Sequence, residues 1–509
     1  MVIVVYMIGL YMTVVDNTIL FTALPSVARE FHESLSAAQW VTIGYLLSLA
    51  VFVPSSGWIG DRFGTRRTFL AALVVFTGAS VLCGLAGSLT ELIIFRVIQG
   101  AGGGLIVPVG QAILFRTFPP ERRARASGIV ATGVSLGPAT GPVLGGILVT
   151  ELSWRWCFFV NLPFGLIALL VALPFLAEHR EPAAGRFDAP GFVLAGAGLA
   201  MFLYAISVSP TLGWSSPVVI GTLLAGLAAL TALVFVELRQ PAPMLNLRLL
   251  RNRIFRTTSL VFVLSQCAYT GYLFVMPEFL QFARGDSALA SGLTTLPGAV
   301  GLWINSQFAA RVYPRAGPRR MAVLAMAGVT LIFCLFGLTL GITTNAWLIR
   351  VLIFCSGSSI AWCGLAVQAA SFSTISSADT GRAAALFNTQ TQAAGGIGVA
   401  TLVTVVSSVR SGVRAGSGGA ALVPAFHHAF LTAAGFIVAA GLVALTIRDA
   451  DAAASMRRRA AAGAPEPDGV AAAAAAVEAV TAEAGGPAAG PDLTGVQPDG
   501  CSRPRSAPP

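Results

Sequence analysis

Apolar residues occur along this chain in runs of about 20, separated by short stretches that contain arginine, proline or glycine. A helix of about 20 apolar residues is long enough to cross the hydrocarbon core of a bilayer. The pattern therefore predicts fourteen transmembrane helices. Their expected ranges are 2–24, 37–59, 68–88, 92–115, 126–150, 157–177, 189–209, 216–237, 257–281, 289–312, 320–341, 345–369, 383–408 and 426–448.

The composition supports a chain that is embedded in lipid. Of its 509 residues, 55% are hydrophobic and 11% are charged, whereas soluble domains carry about 25% charged residues. The formal net charge of +10 does not indicate nucleic acid as a partner, because the basic residues lie in short loops and not in one patch. We predict an all-α integral membrane protein whose partner is the lipid bilayer.

Arginine is distributed unevenly between the two sets of alternate loops. Twenty arginines follow even-numbered helices, whereas the loops after odd-numbered helices hold only Arg29, Arg155, Arg284, Arg410 and Arg414. Short loops rich in basic residues face the cytoplasm. We therefore expect a multi-pass protein of the cytoplasmic membrane with both termini in the cytoplasm.

The early and late parts of the helical region contain matching segments. Residues 64–67 (GTRR) match 317–320 (GPRR), and residues 125–141 match 382–398 in the positions of the arginine and the last glycine. Parallel half-repeats are typical of transporters in which two halves rock around a midplane site. The predicted domains are a first six-helix half at 1–180, an inserted helix pair with its linker at 181–250, a second six-helix half at 251–448 and a disordered tail at 449–509.

Metal, cofactor and disulfide chemistry has no support in the sequence. The seven cysteines form no CxxC pair and the four histidines form no HExxH motif, so we expect no metal site and no cofactor. The chain contains no lysine, which excludes the lysine-containing phosphate loop of ATP-driven pumps. The first apolar run is too long for the core of a cleavable signal peptide.

Four segments resemble motifs of a known family. Residues 57–67, GWIGDRFGTRR, resemble the G-x-L-A-D-R-x-G-R-R motif of the major facilitator superfamily, and residues 134–146, VSLGPATGPVLGG, resemble its antiporter motif. Residues 14–25, VVDNTILFTALP, and 154–165, WRWCFFVNLPFG, are similar to the fourteen-spanner drug:proton antiporters of the quaternary-ammonium and multidrug resistance type. The resemblance implies the major facilitator fold, with two six-helix halves and two inserted helices.

Two charged residues fall inside predicted helices. Asp16 lies in the middle of helix one, where a charged carboxylate costs about 2.5–3.5 kcal/mol on insertion scales and is usually functional. Arg96, in helix four, needs a partner, for which Asp16 and Gln99 are candidates. The resemblance implies that Asp16 and Arg96 take part in proton coupling. The alternatives are a structural Asp16 hydrogen-bonded to Asn17, Thr18 or a neighbouring helix, and an Arg96 that snorkels toward the helix end at Glu91.

A charged cluster follows helix two. A carboxylate there can pair with arginine and with the positive N-terminus of a neighbouring helix. The resemblance implies that this cluster holds the cytoplasmic side closed between the halves, and the alternative is an ordinary arginine-rich loop. In the second half Pro314 replaces the acid, so we expect only the first copy to act. The predicted gate residues are Gly57, Asp61, Arg62, Gly64, Arg66 and Arg67.

Helix five carries glycines at four-residue spacing. A stripe of this kind lets another helix approach closely, and prolines inside the helix kink it. We expect a smooth, bent helix at the interface between the halves, and the alternative is static helix packing. The residues are Gly133, Gly137, Pro138, Gly141, Pro142 and Gly145.

Five polar residues are candidates for lining a substrate cavity: Asn17, Gln99, Glu278, Asn388 and Gln392. Glu278 follows Pro277 near the outer end of helix nine, where it either meets water or contacts a cationic substrate. Asn388 and Gln392 share one face of helix thirteen. For these two, structural hydrogen bonding between helices is an equal alternative.

These features predict a proton-coupled antiporter that exports small amphipathic or hydrophobic compounds. Its partners are a small-molecule substrate and protons, and no obligate protein partner is evident. An alternative within transport is an exporter dedicated to one endogenous metabolite or antibiotic. An integral membrane enzyme is disfavoured because no acid pair or His/Cys constellation is visible.

Overall fold

The computed structural model describes residues 1–181, 185–240, 243–410 and 419–456, and this part of the chain contains helices and no strand. Nine long helices come first along the chain: α1 (Val2–Glu30), α2 (Trp40–Phe63), α3 (Thr65–Leu85), α4 (Leu89–Thr117), α5 (Pro120–Glu151), α6 (Asn161–Phe175), α7 (Ala189–Leu212), α8 (Pro217–Arg239) and α9 (Arg253–Glu278). The next helical segment, Ala288–Thr339, is divided at Gly317 into α10 (288–316) and α11 (318–339). It is followed by α12 (Ala346–Ser371), α13 (Thr380–Arg410) and α14 (Val423–Ala444).

The fourteen predicted helices all correspond to helices of the structure. Within the described ranges, twelve stretches are long and apolar enough to cross a membrane. One of them, Ala290–Thr339, is long enough for two crossings and contains both α10 and α11. The 32-residue α5 is the one helix of the fourteen that is not among these twelve stretches. The prediction of an all-α membrane protein is confirmed.

Two glycines at equivalent places in the halves break the helical path. Gly64 separates α2 from α3 with a φ of 99°, and Gly317 separates α10 from α11 with a φ of 76°. Only glycine adopts such backbone angles at low cost. At each break a carboxylate accepts a backbone N–H two residues further on: Glu178 Oε1 from Arg66, at 3.1 Å, and Asp449 Oδ1 from Arg319, at 2.9 Å. The repeat seen in the sequence thus extends to the three-dimensional contacts.

The predicted boundary of the disordered tail is too early. Asp449–Ala452 and Ala453–Met456 form two short helical turns. The Ser455 hydroxyl is buried and lies 2.7 Å from the Tyr313 hydroxyl of α10. These contacts hold the first eight residues of the predicted tail against the bundle. The remainder of the predicted tail, 457–509, lies outside the described residues.

Opposite the arginine-rich loops, a small polar cluster ties α1 to the turn before α6. Glu30 accepts hydrogen bonds from the Arg155 guanidinium and from Trp154 Nε1, the latter at 2.5 Å. The hydrogen bond from Arg155 lowers the pKa of Glu30, and partial burial offsets some of this effect. The cluster fixes the outer end of α1 within the first half.

The inserted pair α7–α8 lies beside both halves. On the first half, Phe192 of α7 meets Phe52 of α2 edge to face, with ring centroids 6.1 Å apart. On the second half, a Cβ at Gly396 of α13 would lie 2.6 Å from Leu203 Cδ2 of α7. Helix α7 therefore packs against one helix from each half.

The glycine stripe of α5 faces α1 of the same half, so the expectation that the stripe lies between the halves is wrong. A Cβ at Gly133 would lie 2.8 Å from Met7 O, and one at Gly145 would lie 2.8 Å from Ile19 O. A Cβ at Gly137 would meet the side chain of Val14, and one at Gly141 would meet the side chain of Thr18. Gly128, nearer the start of α5, does meet the second half, at Ser306 and Ala310. Pro138 and Pro142 lie inside the α5 span, which stays helical through both positions.

The close packing of α5 on α1 predicts a difference between two adjacent glycines. In Gly145→Ala the new methyl group meets the backbone at Ile19, and overpacking of this kind typically costs about 1–3 kcal/mol. In Gly146→Ala, the matched control, the methyl group has no neighbour within 4 Å. We expect a lower midpoint of thermal unfolding only for Gly145→Ala in the purified protein. Equal midpoints for the two variants would contradict this packing.

Candidate functional site

The two buried charges of the first half form an ion pair between α1 and α4. Arg96 Nη1 lies 2.5 Å from Asp16 Oδ2, and the side chains are 0% and 1% exposed. Gln99 Nε2 and Asn161 Nδ2 each donate to Asp16 Oδ1, both at 2.9 Å. We call Asp16, Arg96, Gln99 and Asn161 the Asp16 cluster. It joins three helices, because Asn161 begins α6.

Surrounding groups fix the orientation of the Asp16 cluster. Arg96 donates through Nε to Val41 O at 3.2 Å and through Nη1 to Gln99 Oε1 at 2.8 Å. The Tyr45 ring covers the guanidinium, with Arg96 Cζ 4.2 Å from the ring centroid. Asn161 Nδ2 also donates to Ser80 Oγ at 3.0 Å. The cluster is therefore held by α2 and α3 as well as by its own helices.

In the conformation described the geometry excludes the snorkelling alternative for Arg96, whereas Asp16 makes the hydrogen bonds to neighbouring helices that its structural alternative expects. Arg96 points toward Asp16, whereas Glu91, the end to which it was expected to snorkel, accepts a hydrogen bond from Gly87 N at 2.9 Å. Asp16 bonds to partners on α4 and α6, while the nearby Thr18 hydroxyl donates to Val14 O at 3.0 Å. Gln99 is fully buried in the cluster, so its assignment to the lining of a cavity is wrong here.

The electrostatic balance of the cluster makes it sensitive to protonation. One carboxylate and one guanidinium neutralise each other, and removal of one partner from a buried pair typically costs about 3–5 kcal/mol. Arg96 Nη2 and the Tyr45 hydroxyl are buried without a hydrogen-bond partner. The arrangement leaves unused donors beside the ion pair.

Asn161 was missed by the sequence analysis although it lies in the WRWCFFVNLPFG segment. Its amide is uncharged, and it is 145 residues distant from Asp16 along the chain. A single asparagine in an apolar run was the only available signal, and such a residue more often serves helix packing.

At the arginine-rich end of the bundle, Asp61 of α2 is paired with Arg116 of α4. Arg116 Nη2 lies 2.9 Å from Asp61 Oδ1, and the side chains are 6% and 1% exposed. Arg116 Nε also donates to Ser377 O at 3.2 Å, in the turn before α13. A Cβ at Gly381, in the first turn of α13, would lie 2.8 Å from Asp61 Oδ1. The acid thus faces the positive N-terminus of a helix from the other half.

The predicted gate arginines do not provide this pairing. Arg62 is exposed, Arg66 Nη2 donates to Leu173 O at 2.5 Å, and Arg67 lies 3.6 Å from Glu178 at the surface. The contacts of Arg66 and Arg67 stay within the first half and Arg62 faces solvent, so the assignment of these arginines to a bridge between the halves is wrong in this conformation. The expected carboxylate and helix N-terminus are present, but the guanidinium comes from Arg116. Gly57 allows this approach, because a Cβ there would lie 2.9 Å from Gly381 O.

Other contacts between the halves lie at the same end. Arg123 of α5 donates to Phe372 O at 2.5 Å, and Asn388 Nδ2 of α13 donates to Gln111 Oε1 of α4, also at 2.5 Å. Gln307 of α10 donates to Gly128 O of α5. We call these contacts, together with the Asp61–Arg116 pair, the cross-half seam. Asn388 therefore makes a hydrogen bond between helices, the structural alternative given for it in the sequence analysis. Its partner Gln111 was not predicted.

The remaining cavity candidates lie on separate helices. Asn17 is half-buried and its Oδ1 is buried without a partner, next to Asp16 on α1. Gln392 is half-buried on α13, and Glu278 is half-buried at the last residue of α9. Their roles as cavity-lining groups remain predictions.

Comparisons with known proteins agree on the family. A family model described as Major Facilitator Superfamily matches residues 6–399. The chain is 32% identical over 406 residues to the Bacillus subtilis protein named "Uncharacterized MFS-type transporter YhcA", covering 80% of this chain and 76% of the relative. It is 32% identical over 399 residues to the Mycobacterium tuberculosis "Multidrug resistance protein B homolog", covering 77% and 73%.

A solved structure shows the same fold. The crystal structure of the human organic anion transporter MFSD10 superposes with a TM-score of 0.62, covering 87% of this chain and 98% of that protein at 16% sequence identity. The family match, the two relatives and this likeness agree with the helical bundle and its internal repeat. The chain belongs to the Major Facilitator Superfamily, and it is a multi-pass membrane transporter of small molecules and not an enzyme.

Proposed function

We propose that this transporter exports small amphipathic or hydrophobic compounds in exchange for protons. The observation that carries the proposal is the Asp16 cluster, a titratable carboxylate buried against a permanent positive charge. The relative named a multidrug resistance protein supports the substrate class. Each proton that enters along a membrane potential releases about 2.3 kcal/mol per 100 mV, which can drive substrate uphill.

Coupling arises because the ionised and protonated cluster differ in charge. Protonation of Asp16 cancels the negative charge beside Arg96 and leaves the guanidinium uncompensated in a buried site. An unpaired buried charge has a high desolvation free energy, so α1, α4 and α6 rearrange to bring Arg96 into contact with water or another partner. The protonated and ionised states therefore favour different conformations, which is the requirement for coupled exchange.

The cross-half seam supplies the second requirement, a barrier at one end of the pathway. It closes the arginine-rich end, which we place in the cytoplasm together with both termini because of the loop arginines. Separation of Asp61 and Arg116 from the turn before α13 opens the route for substrate from the cytoplasm.

Asp16→Asn tests the coupling. The amide keeps the size of the side chain but cannot bind and release a proton, so we expect substrate efflux driven by a pH gradient to fall to the background rate. The measurement uses everted membrane vesicles containing equal amounts of protein. Asp286→Asn, which changes a loop acid paired with Arg284 at 3.4 Å, is the matched control and should leave efflux near the wild-type rate. Full efflux by Asp16→Asn would remove Asp16 from the mechanism.

Asn161→Ala tests the hydrogen bond that holds the carboxylate. Loss of this donor detaches the start of α6 from Asp16. A hydrogen bond to a charged group is worth about 1.5–3 kcal/mol. We therefore expect a lower midpoint of thermal unfolding in the purified protein and slower efflux at equal amounts of protein. An Asn161→Ala variant that matches the wild type in both measurements would contradict the assigned role.

Asp61→Asn and Arg116→Gln test the gate. Breaking a buried pair typically costs about 3–5 kcal/mol, so each variant should destabilise the seam and slow transport strongly. The double variant should be no slower than the singles, because all three lose the same contact. Arg62→Gln is the control, since that side chain is exposed, and should transport near the wild-type rate. A loss in Arg62→Gln equal to that in Arg116→Gln would contradict the assignment of the guanidinium.

A further inference from the structure

Two buried acids meet where the inserted pair joins the rest of the chain. Asp188 precedes α7 and is 4% exposed, and Glu237 lies in the last turn of α8 and is 0% exposed. A Cβ at Gly191 would lie 2.5 Å from Asp188 Oδ2 and 2.8 Å from Glu237 Oε1. The two carboxyl groups therefore face the same small space, which only a glycine leaves open.

Each acid has one satisfied oxygen and one that lacks a donor. Asp188 Oδ1 accepts from Gly191 N at 2.9 Å, and Glu237 Oε1 accepts from Leu245 N at 3.1 Å. Asp188 Oδ2 and Glu237 Oε2 are buried and have no hydrogen-bond partner among the residues that the structure describes. Two carboxylates this close in a dry site do not both remain ionised, and a proton supplies the donor that the unsatisfied oxygens lack.

The other charged groups on the surrounding elements point to solvent or have partners. Arg186 and Arg239 are exposed, Arg248 donates to Gln240 O at 2.9 Å, and Arg251 is exposed. On α2, which packs against α7, Asp61 is paired with Arg116 and Arg62 is exposed. No ion pair is found for Asp188 or Glu237 among the described residues.

A bound metal ion fits this site poorly. Calcium and magnesium require six or more oxygen ligands in most sites, and the described residues contain no group of three or more metal-ligating side chains. The backbone groups directed at the two acids are N–H donors from Gly191 and Leu245, which repel a cation. The chemistry favours a proton.

The helix dipoles decide which acid carries the proton. Asp188 caps the N-terminus of α7, where the partial positive charge stabilises an anion. Glu237 lies near the C-terminus of α8, where the partial negative charge destabilises one. We infer that Glu237 is the member of this pair that binds a proton at neutral pH, so that the inserted pair contains a protonation site separate from the Asp16 cluster.

This site connects protonation to the attachment of the inserted pair. Glu237 holds the backbone at Leu245, in the segment that leads from α8 to α9, and Asp188 holds the start of α7. Loss of the proton places two negative charges in one buried space and loosens both attachments. When Glu237 is protonated, the folded state holds a proton that the unfolded chain has already released. The free energy of unfolding therefore falls as the pH rises through the titration of Glu237.

Infrared spectroscopy of the purified full-length protein in lipid nanodiscs tests the inference. At neutral pH the wild type should show the C=O band of a protonated carboxylic acid that shifts in D2O and on glutamate-selective 13C labelling. Glu237→Gln should lose that component, and Asp188→Asn should keep it but lose it at a lower pH, because the repelling charge is gone. Glu151→Gln, which changes an exposed glutamate at the end of α5, should leave the band unchanged.

The pH dependence of thermal unfolding gives a second readout. The wild type should lose stability as the pH rises from about 4.3, where an ordinary glutamate titrates, through the titration of Glu237, and Glu237→Gln should show a smaller loss. A wild-type spectrum without a glutamate-derived protonated band, or one that Glu237→Gln leaves intact, would show that Glu237 is ionised and overturn the inference. A band that disappears when divalent cation is added would identify a metal site and overturn it as well. The labelled wild-type spectrum decides the matter even where Glu237→Gln does not fold.

Discussion

The attraction between Asp16 and Arg96 is the interaction on which the first half depends. In water such a pair is worth little, but in a dry interior each charge is costly alone and strongly favoured together. The cluster therefore does more than hold α1, α4 and α6 at fixed positions. In the proposed mechanism it also makes their arrangement conditional on one proton, because the carboxylate can bind a proton whereas the guanidinium stays charged.

The cross-half seam differs from the Asp16 cluster, because in the proposed cycle its contacts break each time the two halves separate. Its contacts are polar and confined to one end, and they use backbone carbonyls at Ser377, Phe372 and Gly128 as acceptors. Such acceptors can exchange a side-chain donor for water when the halves separate, at a net cost of about 1 kcal/mol per hydrogen bond. By contrast, the glycine stripe of α5 and α1 forms close backbone contacts within one half. The seam combines its polar contacts with apolar ones, such as Phe115 of α4 against Phe372, whose ring centroids are 4.6 Å apart.

The sequence was most informative where a charged residue interrupted a run of apolar residues. A run of apolar residues has few ways to fold in lipid, so the helices could be placed, and a charge inside such a run stood out as functional. Asp16, Arg96 and Gln99 were found in this way, together with their mutual contact. Asp61 was found through its motif and its position at a helix end.

Residues that matched their surroundings were missed. Arg116 is one of many loop arginines, and its selection as the partner of Asp61 depends on how the ends of α2 and α4 converge. Asn161 and Gln111 are uncharged amides whose partners lie 145 and 277 residues away. The direction of the α5 glycine stripe could not be deduced either, because four-residue spacing specifies a smooth face and not the helix that it contacts.

The most direct test of the account measures proton and substrate movement together. In liposomes containing the purified protein, an imposed substrate gradient should drive protons in the opposite direction, and collapse of both the pH gradient and the membrane voltage should stop accumulation of substrate. Substrate accumulation that continues unchanged after this collapse, with no accompanying movement of protons, would contradict exchange through the Asp16 cluster.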